Sequence, residues 1–415
     1  MARGTAARHL RRRDWLAALA AGWLGEGVQA APATASPTAE VIDRPGHGPR
    51  PLRFPADFGA HPAWHTEWWY VTGWLADEAA APAVGSAAPQ PSHGFQLTFF
   101  RQRTDLGGDS RSAFAARQLI FAHAAVTDLG AKRLRHDQRI ARAGFGLAEA
   151  ALGDAHVHLH AGSRWSLRRE GGAPTGTSAA DLDPSVYRGR VDSPAAGFRL
   201  DLDLTATQPM LLQGQAGWSR KGPQPAQASF YTSQPQLAVR ARLALDGQPE
   251  RALAGRAWLD HEWSETLLDA DAAGWDWIGM NLFDGSALTA FRLRRRDAHP
   301  AGPTLWAGGS WRAPGRVAQA FAPGDVRFTP RRHWTSPRHG SAGQPPVRYP
   351  VEWAVDCPAG RFIVRALLDD QELDSRASTG TVYWEGLSEL LEAATGRRVG
   401  LGYLEMTGYV GRLRL

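Results

Sequence analysis

The chain has 415 residues, of which 43% are hydrophobic and 21% are charged, so it can bury a core and is not a wholly disordered protein. Its formal net charge is +6, and residues 1–30 account for half of it, which leaves too small a positive surplus elsewhere to indicate a nucleic-acid partner. A single cysteine, Cys357, excludes an internal disulfide and a zinc ribbon.

The first 30 residues predict an export signal. Arginines at positions 11–13 precede a short apolar run that ends at Leu24, and a small-residue cleavage pattern ends at Ala30. The arginine pair followed by x-Trp-Leu favours the twin-arginine route, with an ordinary secretory signal as the alternative. Residues 31–50 form a flexible lead-in, and no later run approaches the ~18 apolar residues of a membrane helix. We therefore expect an exported protein, periplasmic or secreted, without a transmembrane segment.

Short runs of alternating apolar and polar residues dominate the rest of the chain. Residues 95–99, 198–204 and 237–241 have this period of two, which is typical of half-buried strands, and turn signals separate such runs. The sequence therefore predicts an all-β protein of sandwiches or barrels. Because its length exceeds one such unit, we predict an N-terminal domain over 51–248 and a C-terminal domain over 249–415.

The segment HTEWWYVTGWL, residues 65–75, is aromatic on both faces if it is a strand. Trp68 and Tyr70 fall on one face, and Glu67 and Trp69 on the other. One face is then expected to line a lumen while the other packs outward. We predict that Glu67, Trp68 and Tyr70 bind a ligand; the alternative is a core strand that holds a buried acid by hydrogen bonds.

The segment AWLDHEWS places Trp258, Asp260 and Glu262 on one face of a strand and His261 and Trp263 on the other. Two carboxylates at this spacing are ~7 Å apart, which suits an acid and base pair. Asp, His and Glu together also suggest a metal, but opposite faces cannot converge on one ion without ligands from outside the strand, so no metal is expected. The competing interpretation is a structural network of buried charges.

The segment GWDWIGMNLFDG places Asp276 on an apolar face with Ile278 and Met280, while Trp275 and Trp277 lie on the other face. A carboxyl group among apolar neighbours loses hydration, which raises its pKa and keeps it protonated, as a general acid requires. The alternative is a strand that ends early and leaves Asp276 in solvent. Elsewhere no phosphate-binding glycine loop, dinucleotide fingerprint or G-x-S-x-G elbow occurs.

At these residues the chain resembles the AttH-type, lipocalin-like family of exported bacterial proteins, whose distant relatives are the carotenoid 1,2-hydratases, or hydroxyneurosporene synthases. The resemblance extends in order from Phe54 to Tyr409. The matching stretches are FPADFGAHPAWHTEWWYVTGWL, QPMLLQGQAGWSRKG, GRAWLDHEWS, GWDWIGMNLFDG, YPVEWAVDCPAG, YWEG and GYLEMTGY.

The resemblance implies two tandem lipocalin-like β-barrels packed together, and it favours a strand at 387–394, where local periodicity also fits a helix. In the hydratases, an acid protonates a polyene double bond and water captures the carbocation, without a cofactor. Asp260, His261 and Trp263 match the Asp-His-x-aromatic element of that group, and Asp276 is the candidate proton donor. The exported character and the form of the first motif depart from the hydratases, so the implied carotenoid substrate does not carry over directly.

Two hypotheses about function follow. The first is a cofactor-independent hydratase, lyase or isomerase that acts on a lipophilic, isoprenoid-like molecule, with Asp260, His261, Glu262 and Asp276 as catalytic residues. The ligand-binding residues are then Glu67, Trp68, Tyr70, Trp263, Trp275 and Trp277. The second is a non-catalytic periplasmic carrier of a hydrophobic molecule, associated with an ABC export system. A secreted hydrolase ranks behind both, because no nucleophile motif is found.

Overall fold

Antiparallel β-strands make up nearly all the regular structure of the protein. The computed structural model describes residues 48–77, 89–105, 110–161, 163–171, 185–266, 268, 270–296, 302–339 and 346–411. The predicted export signal, and the predicted lead-in up to residue 47, lie outside the described residues. Within the described part, the only helices are short 3-10 turns, such as Ala56–Phe58 and Pro323–Asp325. None of the described helices has the length and hydropathy of a membrane span.

The first sheet has 13 strands in the order β4-β3-β2-β1-β13-β12-β9-β8-β7-β6-β5, with β10 and β11 added to β12. Its two ends approach each other, since β4 packs against β6. The strands are β1 (Thr66–Asp77), β2 (His93–Arg103), β3 (Gln118–Asp128), β4 (Arg133–Arg142), β5 (Ala148–Ala150), β6 (His156–Ala161), β7 (Ser163–Glu170), β8 (Val186–Ser193), β9 (Phe198–Thr205), β10 (Leu211–Leu212), β11 (Trp218–Arg220), β12 (Ala228–Leu245) and β13 (Arg251–Ser264).

The second sheet has 10 strands in the order β17-β16-β15-β14-β23-β22-β20-β19-β18, with β21 added to β22. The strands are β14 (Ala272–Leu282), β15 (Ala287–Arg295), β16 (Thr304–Arg312), β17 (Gln319–Ala320), β18 (Arg327–Thr335), β19 (Arg348–Cys357), β20 (Gly360–Ala366), β21 (Glu372–Ser375), β22 (Thr381–Glu392) and β23 (Arg398–Met406). The protein therefore consists of two lipocalin-like antiparallel barrels, as predicted. The segment at 387–394 belongs mostly to β22, so its helical periodicity did not decide the structure.

The change from one sheet to the other falls between β13 and β14. Strand β13 pairs with β1 on one side and β12 on the other, so it is a central strand of the first barrel. The 249–415 segment of the predicted division thus contributes its first strand to the N-terminal barrel. The second sheet begins at Ala272.

Side chains fill the interiors of both barrels. In the first barrel, one face of each long strand contributes to a single apolar cluster that includes Trp69, Val71 and Leu259. A gap of about 10 Å³ beside Trp69 and His261 has room for no more than one water. A second cluster, with Ile278 and Met280, fills the other barrel. In strand 65–75, the face with Glu67 and Trp69 points into this packed core.

A third apolar cluster lies where the two barrels meet. It is built from the opposite face of β1 and β13 and from β14, β15, β22 and β23 of the second barrel, and it contains Tyr70, Trp74, Trp258, Trp277 and Tyr403. Because side chains alternate, one face of β1 and β13 packs into the core of the first barrel and the other face packs against the second barrel. The cavity between the barrels is lined by residues of this second side.

Candidate functional site

A cavity of about 100 Å³ lies between the two barrels. Trp68 and Tyr70 on β1 and Trp275 and Trp277 on β14 form aromatic walls around it. All four were predicted as ligand-binding residues, and their contact with a ligand stays a prediction. The acidic side chains that line the cavity are Asp260, Glu262, Glu385 and Glu405.

Asp260 is held by three donors at the wall of the cavity. Ser233 lies directly across from it on β12, and its Oγ donates to Asp260 Oδ1 over 2.5 Å. Tyr231 Oη donates to Oδ2 over 2.7 Å, and Trp258 Nε1 donates to Oδ1 over 2.6 Å. Burial raises the pKa of Asp260 to about 7, although these three hydrogen bonds favour the carboxylate. Asp260 is therefore a carboxyl group that can hold or release a proton near neutral pH.

Tyr231 connects the two barrels at this point. Its hydroxyl oxygen donates to Asp260 and accepts a hydrogen bond of 3.1 Å from Nε1 of Trp277 on β14. Burial, followed by the neighbouring carboxylates of Asp260 and Glu262, raises the pKa of Tyr231 well above its ordinary value. The phenol thus remains a donor and fixes the orientation of Asp260.

Glu262, two residues further along the same face, is paired with a cation. Lys221 Nζ lies 3.0 Å from Glu262 Oε1, and Ser229 Oγ donates to the same oxygen over 2.5 Å. The Lys221 ammonium also lies 4.4 Å from the ring centroids of both Tyr231 and Phe291. Asp260 and Glu262 thus share a wall but differ in chemistry, since Glu262 has a cationic partner and Asp260 has only neutral donors.

Glu385 and Glu405 form a carboxyl pair on the opposite wall. They face each other across β22 and β23. Burial, followed by the negative charges of Asp260 and Glu262, raises the pKa of Glu405 to about 8. Burial and the adjacent Glu405 raise the pKa of Glu385 well above its ordinary value. Because two negative charges this close repel each other in a buried site, at least one of the two carboxyl groups keeps its proton at neutral pH.

A histidine and tyrosine pair closes one end of the cavity. His123 Nδ1 lies 2.5 Å from Tyr383 Oη, and its Nε2 lies 2.8 Å from Ser378 Oγ. Burial lowers the pKa of His123 to about 3, so the imidazole is neutral. A neutral imidazole has one acceptor and one donor nitrogen, so His123 Nδ1 can accept a hydrogen bond from the Tyr383 hydroxyl while Nε2–H donates to Ser378 Oγ.

Sequence reasoning missed several of these residues. Glu385 and Glu405 lie in the YWEG and GYLEMTGY stretches that carry the family resemblance, and an acid inside an apolar strand was the available signal. For Tyr231 and His123 no local signal existed. Their roles come from pairing with residues far away in sequence, namely Asp260 and Tyr383.

Asp276 does not line the cavity, although it was predicted as the proton donor. It points into the core of the second barrel, where it is fully buried. Arg292 Nε donates to it over 2.8 Å, Arg294 Nε lies 3.3 Å away, and Tyr409 Oη donates over 2.9 Å. Its apolar strand neighbours were identified correctly, but two guanidinium groups from β15 make it an ion-paired carboxylate. The expected shared site with Asp260 and Glu262 is therefore wrong.

Glu67 and His261, which lie on the core side of their strands, are also separated from the cavity. Glu67 accepts hydrogen bonds from Arg101 Nε over 2.7 Å and from the His61 backbone N–H over 2.9 Å. Its Oε1 contacts His61 Nδ1 at 2.7 Å and His261 Nε2 at 2.9 Å. Trp263 lies on this side as well, stacked on His61 with ring centroids 3.7 Å apart. Neither Glu67 nor Trp263 lines the cavity between the barrels, where their ligand roles were predicted.

The charges around Glu67 balance one another. Burial alone would raise the pKa of Glu67, but Arg101 and His61 outweigh it and hold this pKa well below the ordinary value. Burial lowers the pKa of His261, whereas the Glu67 and Asp57 carboxylates hold the pKa of His61 above its ordinary value despite burial. Donor atoms of His61, Glu67 and His261 lie within 4.8 Å of one another, a spacing that a metal would also accept. Their mutual hydrogen bonds and Arg101 account for the arrangement without one.

Comparison with known proteins identifies the family. A family model described as AttH-like matches residues 45–409. The chain belongs to the AttH-like family. No curated protein matches the sequence.

Several solved structures are similar to the chain. An AttH protein from Nitrosomonas europaea is 42% identical and covers 87% of this chain and 98% of its own, with a TM-score of 0.71. Kievitone hydratase from Nectria haematococca is 14% identical over 90% of this chain and 99% of its own, with a TM-score of 0.56. CghA with Sch210972 is 14% identical over 89% and 97%, with a TM-score of 0.53. At this identity the last two show a shared fold.

The carboxyl pair should make the stability of this AttH-like protein depend on pH. The pKa of Glu405 is about 8 in the folded chain and about 4.5 ordinarily, so between these values unfolding lets the carboxyl ionise. Stability should fall as pH rises from about 4.5 to 8. We expect Glu405→Gln to remove this penalty and to gain roughly 2–4 kcal/mol over the parent at pH 8 but little at pH 4.5. Urea unfolding at both pH values measures the difference.

The surface substitution Glu250→Gln is the matched control, since its carboxylate is half-exposed beside Arg199. It should leave the parent pH profile intact. A constant difference between Glu405→Gln and the parent at all pH values would show that Glu405 is already ionised in the folded state.

Proposed function

We propose that this protein binds a hydrophobic, isoprenoid-like molecule between its two barrels and adds water across a carbon–carbon double bond without a cofactor. The observation that carries the proposal is the set of acids with raised pKa values, Asp260, Glu385 and Glu405, on the walls of an aromatic cavity. Carboxyl groups that stay protonated near neutral pH are the acids that alkene protonation requires.

The reaction begins with proton transfer from the carboxyl group of Asp260 to one alkene carbon. The π electrons form the new C–H bond, and the other carbon becomes a tertiary carbocation. Trp68, Trp277 and Tyr70 face this space, and their ring quadrupoles stabilise a passing positive charge. The apolar wall also keeps bulk water away from the cation until one molecule attacks.

A water molecule then forms the C–O bond and must lose a proton. Glu262, paired with Lys221, is the carboxylate placed to accept it on the same face as Asp260. Return of that proton to Asp260 restores the enzyme, so the net change is one water added to the alkene. Loss of a different proton from the cation instead shifts the double bond, and the same residues then serve an isomerase.

The comparisons support the reaction class at the level of the fold. Kievitone hydratase has the same fold, so this fold is found in a protein named as a hydratase. The proposal of a hydration reaction rests on the buried acids Asp260, Glu385 and Glu405 of this chain, and not on that distant likeness. An ABC transporter partner has no support from the cavity or the comparisons and forms no part of the proposal.

We also propose that the protein works outside the cytoplasm, because arginines 11–13 and the small-residue pattern ending at Ala30 are typical of an export signal. Replacing Arg12 and Arg13, the pair followed by x-Trp-Leu, with lysine should retain the protein in the cytoplasm if the twin-arginine route is used. Cell fractionation followed by immunoblotting measures this, and export that is unaffected by the substitutions would point to the ordinary secretory route.

The reaction is tested by incubating purified protein with a lipid extract and, separately, with geranylgeraniol in ¹⁸O-labelled water. A product heavier by one labelled water is the expected result. Recovery of a bound but unchanged molecule would overturn the hydratase and support the carrier hypothesis. A double-bond isomer without added oxygen would assign isomerase chemistry to the same acids.

A further inference from the structure

Three histidines lie in a row on the outer face of the first barrel. In the HVHLH segment of β6, Val157 and Leu159 belong to the barrel core, so His156, His158 and His160 point away from it. The ring centroids of His156 and His158 are 5.5 Å apart, and those of His158 and His160 are 5.6 Å apart. None of the three lines the cavity between the barrels, so the proposed reaction gives this row no role.

The spacing of neighbouring rings in the row is close to that of two imidazoles on one metal ion. Metal–nitrogen bonds of about 2.0–2.1 Å at a tetrahedral angle place two ring centres about 5 Å apart. Small side-chain rotations therefore allow a neighbouring pair to share an ion. His156 and His160 are four residues apart, which is about 13 Å along an extended strand, so all three cannot bind the same ion.

The rings of the first pair are available as ligands. His158 is 8% exposed, and within the described part of the chain its Nδ1 has no hydrogen-bond partner. Burial, followed by the positive charge of Arg164, lowers the pKa of His158. Burial, followed by the positive charge of Arg168, lowers the pKa of His156. Both rings are therefore neutral at pH 7, and each has an unprotonated nitrogen, which is the form that binds a metal.

A carboxylate on the neighbouring strand favours a cation at this pair. Glu149 on β5 lies directly across from His158 and is exposed. Its negative charge acts on both rings, since it opposes the lowering of the pKa of His156 and of His158. Arg164 and Arg168 lie on the other side of β6, on β7. An ion bound on the β5 side therefore has a carboxylate beside it, and two histidines with one carboxylate are a common ligand set for zinc.

We propose that His156 and His158 bind one divalent transition-metal ion, Cu²⁺ or Zn²⁺, with Glu149 as an oxygen ligand from β5. Imidazole suits these ions, whereas Mg²⁺ prefers oxygen ligands. The site is separate from the acids of the cavity and goes beyond the proposed function. The ion joins β6 to β5, a strand of three residues at the end of the first sheet, and so stabilises that edge of the barrel.

The test titrates the protein, without a histidine tag, with Cu²⁺, Zn²⁺ and Mg²⁺ in a calorimeter at pH 7. We expect Cu²⁺ to bind more tightly than Zn²⁺ and Mg²⁺ not to bind. His156→Gln and His158→Gln should each weaken Cu²⁺ binding more than about tenfold, because even the loss of a hydrogen-bond partner of a ligand costs about 10–100-fold in affinity. His160→Gln is the matched control, since it removes a histidine of the same row that is outside the pair.

Electron paramagnetic resonance of the Cu²⁺ complex provides a second readout. The parent and His160→Gln should show coupling to two imidazole nitrogens, and His156→Gln should not. No binding by the parent, or unchanged affinity in a correctly folded His158→Gln variant, overturns the site; in the second case the ion would be expected at His61, Glu67 and His261. An equal loss of affinity in His160→Gln overturns the choice of pair. If the buried His158 cannot be replaced without unfolding, the partly exposed His156 supplies the decisive variant.

Discussion

Replacing Glu67 by glutamine will destabilise the protein by about 3–5 kcal/mol, since it leaves buried cations without their counter-charge. Glu67 is fully buried and pairs with Arg101 on β2 and with His61 ahead of β1. Glutamine has nearly the same volume, so packing is preserved while the charge is lost. Urea unfolding monitored by circular dichroism at pH 7 measures the change in the free energy of unfolding.

The control for this substitution is Glu265→Gln. Glu265 also pairs with an arginine, Arg103, over 2.8 Å, but both side chains are about one-third or more exposed. A solvent-screened pair contributes about 1 kcal/mol or less. If both substitutions cost the same small amount, the network around Glu67 would not be the charged cluster that its geometry indicates.

Asp260→Asn should lower the hydration rate by about 10²–10⁴-fold, the typical contribution of a general acid. Asparagine keeps the size of the side chain but has no proton to transfer. Single-turnover measurements with geranylgeraniol give the rate. Asp203→Asn, at an exposed carboxylate of the first barrel, should retain the parent rate. Unchanged turnover in Asp260→Asn would remove Asp260 from the mechanism and direct attention to Glu385 and Glu405.

The pH profile distinguishes a proton donor from a structural residue. The pKa of Asp260 is about 7, so the rate should fall as pH rises through this value and the protonated form disappears. The hydrogen bond from Tyr231 favours the carboxylate, so Tyr231→Phe should raise this pKa and move the falling limb to higher pH. A merely structural Asp260 would leave the limb in place.

The period of two in the sequence predicted which side chains share a face, because strands alternate strictly unless a bulge intervenes. In β13 it separated Asp260 and Glu262 from His261, as the structure also does. It could not say which face meets a cavity. Both faces of β1 and β13 are apolar enough for a core, so the choice depended on the second barrel, whose contact with the first is not a local property.

Partners from distant strands account for the remaining errors. Asp276 lies among apolar residues of its own strand, but its hydrogen-bond partners Arg292 and Tyr409 are 16 and 133 residues away. In the same way, the carboxyl pair exists because β22 and β23 bring Glu385 and Glu405 into register. Sequence periodicity describes one strand at a time, whereas the partners of these acids are set by how distant segments come together in the fold.

Strand β13 tolerates substitutions more readily than insertions or deletions of a single residue, because its alternate side chains face different environments. Asp260 and His261 are consecutive residues that serve opposite sides, one the cavity and the other the cluster around Glu67. Inserting or deleting one residue before them would exchange the two environments, with an acid in the packed barrel and an imidazole at the cavity. Length changes in the preceding turn can be absorbed there, whereas an added residue within the strand needs a β-bulge, such as the one at Gln234–Leu237 of the neighbouring β12, to keep both environments.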